Sequence, residues 1–152
     1  MSISAIPHIN FANGQARPAL EFYKSVFDGD LLFHTYQDFG MPADAPDADR
    51  VVFGQVTTAD GFVLMGYDIP GVQEPDFGKP GSTRRANGTT LTEQPMFVSL
   101  RIGSLEEATT LFERLTASGT VVEDLASSNW SPGFGIVTDR FGVTWLINVH
   151  EE

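Results

Sequence analysis

Gly54-Gln55-Val56-Thr57-Thr58-Ala59-Asp60-Gly61-Phe62-Val63-Leu64-Met65 can be laid without a gap on Gly135-Ile136-Val137-Thr138-Asp139-Arg140-Phe141-Gly142-Val143-Thr144-Trp145-Leu146. Gly, Val, Thr and Gly coincide, four of the twelve positions. Each copy reads as strand, short turn, strand. Asp60 and Asp139 fall in the turns, where a short acidic side chain is favoured for local reasons.

Working outward, each hairpin is preceded by a helical pattern, and each helix by a strand-like stretch. In Ser104 to Ser118, Leu105, Ala108, Leu111, Phe112 and Leu115 make one apolar face. Ser104 and Glu107 have capping-box spacing, and Gly119 is placed to end the helix. The other helix is expected from about Gln15 to Phe27, with Ala16, Ala19, Leu20, Tyr23 and Phe27 on its apolar side. Pro18 lies near its start, and Gly29 serves as its stop signal. Ile6–Phe11 and Met96–Ile102 alternate apolar and polar residues, the mark of half-buried strands. The chain therefore reads as one α+β domain of two tandem β-α-β-β-β modules, about 4–68 and 95–152. Residues 69–94, rich in Gly, Pro, Thr and Asn, read as a long linker. The acidic stretch Met41–Ala48 reads as a mobile loop inserted in the first module.

Composition excludes several classes of function. The 152 residues contain no Cys, so disulfides, iron–sulfur clusters, thiolate zinc sites and a cysteine nucleophile are ruled out. A formal net charge of −11 opposes binding to phosphate backbones and anionic membranes, so neither nucleic acid nor a membrane surface is an expected partner. No apolar run approaches the roughly 20 residues that a spanning helix needs. Met1–Asn10 lacks the charged and apolar regions of a signal peptide, and a cytoplasmic protein is expected. Arg84-Arg85 is the only basic pair.

Two further stretches carry a resemblance. Ala19-Leu20-Glu21-Phe22-Tyr23 resembles a first-helix motif, and the run from Trp130-Ser131-Pro132-Gly133-Phe134-Gly135 to Leu146-Ile147-Asn148 resembles a strand pair of the same family. With the tandem modules, they identify the chain as similar to the vicinal oxygen chelate superfamily of glyoxalase, bleomycin-resistance and dioxygenase proteins. The branch is a bacterial glyoxalase-like one often labelled 3-demethylubiquinone-9 3-methyltransferase-like. The resemblance covers essentially the whole chain. It implies curled mixed sheets around a cavity, a homodimer, and four metal ligands, one from each of four strands.

The first ligand position falls on His8, fourteen residues before Phe22. The other three fall on Phe97, Leu146 and, through the repeat, Met65. One imidazole with three apolar partners is a poor set for a divalent ion, so no metal cofactor is expected. A register slip would instead bring Asp68, Tyr67 or Asn148 inward and leave His8 a ligand. Otherwise His8 is a cavity-wall imidazole or an acid/base group. Strand alternation gives a candidate lining of His8, Asn10, Met65, Tyr67, Phe97, Ser99, Arg101, Leu146 and Asn148, with Trp130 at the mouth. A mainly apolar pocket with a few polar groups suits a small organic molecule. Arg101 is either a partner for a carboxylate or phosphate, or an exposed strand end. Trp130 either stacks on a planar ligand or packs under its loop. Trp145 is expected in the core, His34 on the surface and His150 at a rim.

Three functions remain: small-molecule binding, a metal-dependent lyase, isomerase or dioxygenase using His8, and methyl transfer. The last lacks the Gly-rich strand-to-helix turn of a conventional methyl-donor site.

Overall fold

The computed structural model describes residues 2–72 and 82–150, which divide into two compact units at Pro75/Asp76. The first contains β1 (His8–Phe11), α1 (Ala16–Phe27), β2 (Asp30–Thr35), β3 (Val51–Thr57) and β4 (Val63–Asp68). Next comes a hairpin of β5 (Thr83–Ala86) and β6 (Thr89–Thr92). The second module follows as β7 (Val98–Ile102), α2 (Leu105–Thr116), β8 (Thr120–Ala126), β9 (Phe134–Thr138) and β10 (Thr144–Val149). Both modules are β-α-β-β-β, as the repeat predicts. Their sheets have equivalent orders, β1-β4-β3-β2 and β7-β10-β9-β8. Both are mixed, because the first strand runs parallel to the last and the other pairs are antiparallel.

Three of the four repeat identities, the two glycines and the valine, have a structural reason. A Cβ on Gly54 would strike Leu20 of α1, and one on Gly135 would lie 2.9 Å from Phe112 of α2, so each glycine lets a helix settle on its sheet. Val56 and Val137 are fully buried. Thr57 and Thr138 end the strands, and their carbonyl oxygens face the end of each helix: a Cβ on Gly29 or Gly119 would come within 3.0 and 2.7 Å of them. Gly61 and Gly142 turn the hairpins at φ +92° and +89°, which side chains rarely tolerate.

Several expectations need correcting. The left-handed residues that end the helices are Asp28 (φ 51°) and Ser118 (φ 58°), not the glycines after them. Gly29 and Gly119 are glycine for want of room. The capping hydroxyl is where it was expected, with Ser104 Oγ accepting from Glu107 N at 3.2 Å. α1 has no side-chain cap from Gln15. Its first amide, on Ala16, instead donates to Asp68 Oδ1 at 2.9 Å, across 52 residues. Asp68 Oδ2 accepts from Val51 N at 2.9 Å, so this buried carboxylate joins helix, β3 and β4 and does not turn inward as a ligand.

The insert Met41–Ala48 is also held. Ala48 is buried, Gln37 N donates to Ala48 O at 3.0 Å, and Asp47 accepts from Gly71 N and lies 3.2 Å from Arg50. Within residues 69–94, the β5–β6 hairpin turns at Asn87-Gly88, both with positive φ (53° and 74°). Asn-Gly is the strongest short hairpin signal and stood in the sequence. Arg85, half of the basic pair, bonds Thr90 at 2.9 Å and Glu123 of β8 at 3.3 Å.

Candidate functional site

Each sheet has one face under its helix and one face turned away from it. In the first unit Ile9, Phe11, Val56, Leu64 and the glycines Gly54 and Gly66 face α1. Period-two alternation therefore turns His8, Asn10, Met65 and Tyr67 to the other face. The register makes neighbours of His8 and Met65, and of Asn10 and Tyr67. His8 Nδ1 lies 3.1 Å from Asn10 Oδ1, and its ring centroid is 5.5 Å from that of Tyr67. In the neutral tautomer that donates from Nδ1 to this amide oxygen, Nε2 presents a lone pair.

Sequence reasoning missed the rest of this face. Gln55 lies opposite Met65, with Nε2 donating to Thr57 Oγ1 at 3.1 Å, and Leu32 lies opposite Gln55. His34, expected as a surface residue, is half-buried opposite Phe53, with ring centroids 6.4 Å apart, and Phe39 stands edge-on at 5.7 Å. The same alternation applied to β2 and β3 would have found them. At the end of the face, the Tyr36 hydroxyl donates to Asp68 O at 2.6 Å. Burial, then the charges of Tyr67, Asp68 and Asp47, push the Tyr36 phenol above its ordinary value. Burial also raises the Asp68 carboxyl, against the two amides that would lower it.

In the second unit Trp145, Ile147, Val149 and Val137 are buried on the α2 side. Ser99, Arg101, Leu146 and Asn148 occupy the other face. β7 and β10 pair Leu146 with Ser99 and Asn148 with Arg101. Ser99, rather than Phe97, is thus the register counterpart of His8, and Phe97 lies just before the strand. Ile136 lies opposite Leu146, and Phe134 opposite Asn148. Trp130 is 66% exposed, and its ring stands 5.4 Å from Phe134 at 67°. It does not pack under its loop. The Asn148 amide oxygen is buried without a hydrogen-bond partner among the described residues. His150 is exposed beyond β10, and Trp145 is core, its indole donating to the buried Asp139 at 2.9 Å. A separate open groove of about 510 Å³ lies along α2 and β8, between Leu105, Phe112, Leu125 and Pro132, with Glu113 and Asp124 on its rim.

The donors beside His8 are an amide, a phenol and a thioether, a weak set for a divalent ion. Among the described residues no three of His, Asp and Glu are grouped so that they could hold a metal ion.

A sequence model described as Glyoxalase/Bleomycin resistance protein/Dioxygenase superfamily matches residues 5–147. The chain belongs to that superfamily. Protein YjdN of Escherichia coli K12 is 31% identical over 150 residues, covering 94% of this chain and 92% of its own. Among solved structures, protein PA1353 of Pseudomonas aeruginosa superposes with TM-score 0.71 at 26% identity, over 99% of this chain and all of its own. A Bacillus cereus PhnB protein, provisionally named a 3-demethylubiquinone-9 3-methyltransferase, superposes at 0.70 with 22% identity, over 97% of this chain and all of its own, and speaks for the fold alone. Superfamily and module plan agree with the sequence reading. Among the described residues, no helix is long and apolar enough to cross a membrane.

Proposed function

We propose that this protein binds a small organic molecule on the sheet faces turned away from its helices, in the manner its superfamily's bleomycin-resistance name suggests. The observation that carries the reading is the make-up of those faces. Met65, Tyr67, Phe53, Leu146 and Phe134 supply apolar and aromatic surface, while His8, Asn10, Gln55, Arg101 and Asn148 add a few polar groups. Apolar and aromatic side chains alternating with polar groups fit a planar ligand that carries polar substituents. The weak donor set around His8 makes binding without a resident divalent metal the better-supported form. We further propose a homodimer, as the superfamily resemblance implies.

A second reading has one observation behind it. In the neutral tautomer that donates from Nδ1 to Asn10 Oδ1, His8 Nε2 keeps the lone pair that a metal ligand or general base requires. On that reading the protein is a metal-dependent lyase, isomerase or dioxygenase. Methyl transfer has no comparable support, since β1 leads to α1 through Ala12–Gln15 with a single glycine.

The deciding experiment measures metal content and thermal shifts with Mn, Fe(II), Co, Ni and Zn, on the native protein and on His8→Ala. The binding reading expects no stoichiometric metal and no His8-dependent shift, with planar organic compounds stabilising the protein and recovered unchanged. Stoichiometric metal that stabilises the native protein and is lost in His8→Ala would replace it with the enzyme reading.

A further inference from the structure

One row of side chains crosses the second sheet on the face away from α2. Arg101 on β7 pairs with Asn148 on β10, and Asn148 with Phe134 on β9. Trp130 then stands edge-on to Phe134 at 5.4 Å. Strands lie roughly 4.8 Å apart, so the guanidinium column and the aromatic column are separated by about 10 Å, with the amide between them.

Three members of the row, Arg101, Asn148 and Trp130, have capacity to spare. Arg101 is the only Lys or Arg in the four strands of this sheet. It is exposed and has no ion pair or hydrogen bond among the described residues, whereas Arg85 in the neighbouring hairpin is held by Glu123 and Thr90. The chain carries a net charge of −11, so acidic partners for an arginine are plentiful, and this one is left without any. The buried amide oxygen of Asn148 is an acceptor with no donor among the described residues, a state folded proteins seldom leave uncompensated. Trp130 keeps most of its surface in solvent, an unfavourable place for a large ring unless something covers it.

We infer that the second module takes a planar aromatic carboxylate bearing a hydrogen-bond donor between its acid group and the rest of its ring system. The inference rests on the ligand-binding reading above and names the ligand's chemistry. The carboxylate pairs with the Arg101 guanidinium, whose fork matches its two oxygens. Asn148 turns its amide oxygen, closed off in the unliganded fold, to accept from a ring hydroxyl or N–H. The ring system lies against Phe134 and Trp130.

The test is calorimetric titration with matched compounds on one-, two- and three-ring aromatic scaffolds: a ring-hydroxylated carboxylate, its primary amide and its hydroxymethyl analogue. The native protein, Arg101→Gln, Arg101→Lys and Trp130→Leu are compared, with circular dichroism to verify folding. The carboxylates are expected to bind at least about tenfold more tightly than their neutral analogues. Arg101→Gln should abolish that preference while leaving neutral affinity unchanged, Arg101→Lys should keep part of it, and Trp130→Leu should weaken all three compounds alike. Equal affinity for charged and neutral members, or a preference that survives Arg101→Gln, overturns the carboxylate inference and leaves small-molecule binding standing. Failure of every compound to bind the native protein overturns the inference, and the binding reading then rests on the thermal-shift experiment above.

Discussion

Two aspartates were legible as residues and not by role. Asp139 reads from the sequence as a turn residue, and it does accept from Phe141 N and Val143 N at 2.8 and 3.1 Å. It also accepts the indole N–H of the fully buried Trp145, a partner that needs β10 folded back on β9. Asp139→Ala strands that donor and is expected to cost at least about 2 kcal/mol, read as a lower midpoint in urea unfolding. Asp68 presented itself in the sequence as a stray ligand candidate, but it serves as the cap of α1. Because burial raises its carboxyl in the folded state, the fold holds this proton more tightly than the unfolded chain does. Stability from this group is present below the ordinary carboxylate range and is lost as pH rises through the raised value. Asn does not titrate there, and the chain's other carboxylates are common to both proteins. The melting temperature of the native protein relative to Asp68→Asn should therefore rise as pH is lowered from neutral toward the ordinary carboxylate range. A difference that is flat with pH, or that falls, would contradict the shift.

Helices and hairpins show which local signals carry over into structure. The apolar stripes of α1 and α2 located both helices to within two residues, because a 3.6-residue period has one interpretation when it also buries a face. Their ends were misassigned. Glycine after a helix suggests a left-handed cap, yet Asp28 and Ser118 adopt that conformation, and Gly29 and Gly119 allow the helix end to approach the sheet. Gly119→Ala would put a methyl 2.7 Å from Thr138 O, a backbone atom that cannot swing aside. A loss of about 1–3 kcal/mol is expected, the usual scale of overpacking, measurable by chemical denaturation. A cap that relied on glycine φ alone would lose less. The Asn87-Gly88 hairpin was passed over because its short strands, Thr83–Ala86 and Thr89–Thr92, carry few apolar residues to announce an alternation.

At the scale of the molecule, the proposed homodimer gives a direct expectation. Light scattering after size exclusion should return twice the 16.6 kDa of the chain, at concentrations from micromolar upward. A mass of one chain throughout would remove the proposal. The candidate lining was half legible. Alternation assigned His8, Asn10, Met65 and Tyr67 to one face of the first sheet, and Ser99, Arg101, Leu146 and Asn148 to the corresponding face of the second. The ligand position implied by the resemblance fell on Phe97, whereas the register makes Ser99 the counterpart of His8; period two is blind to a slip of two residues, and hydrogen-bond register corrects it.

By itself the sequence determined the two modules, their element order, the helix faces and the superfamily. These follow from periodicity and from glycines and valines repeated at fixed spacing, all of which are local patterns. Only the tertiary structure decided that Asp68 caps a helix 52 residues away. It alone pairs Ser99 with Leu146 and, among the described residues, leaves Arg101 without an ion pair beside an Asn148 oxygen without a donor. Those facts depend on which distant strands share hydrogen bonds, and a pattern that repeats every two residues carries no record of its partner.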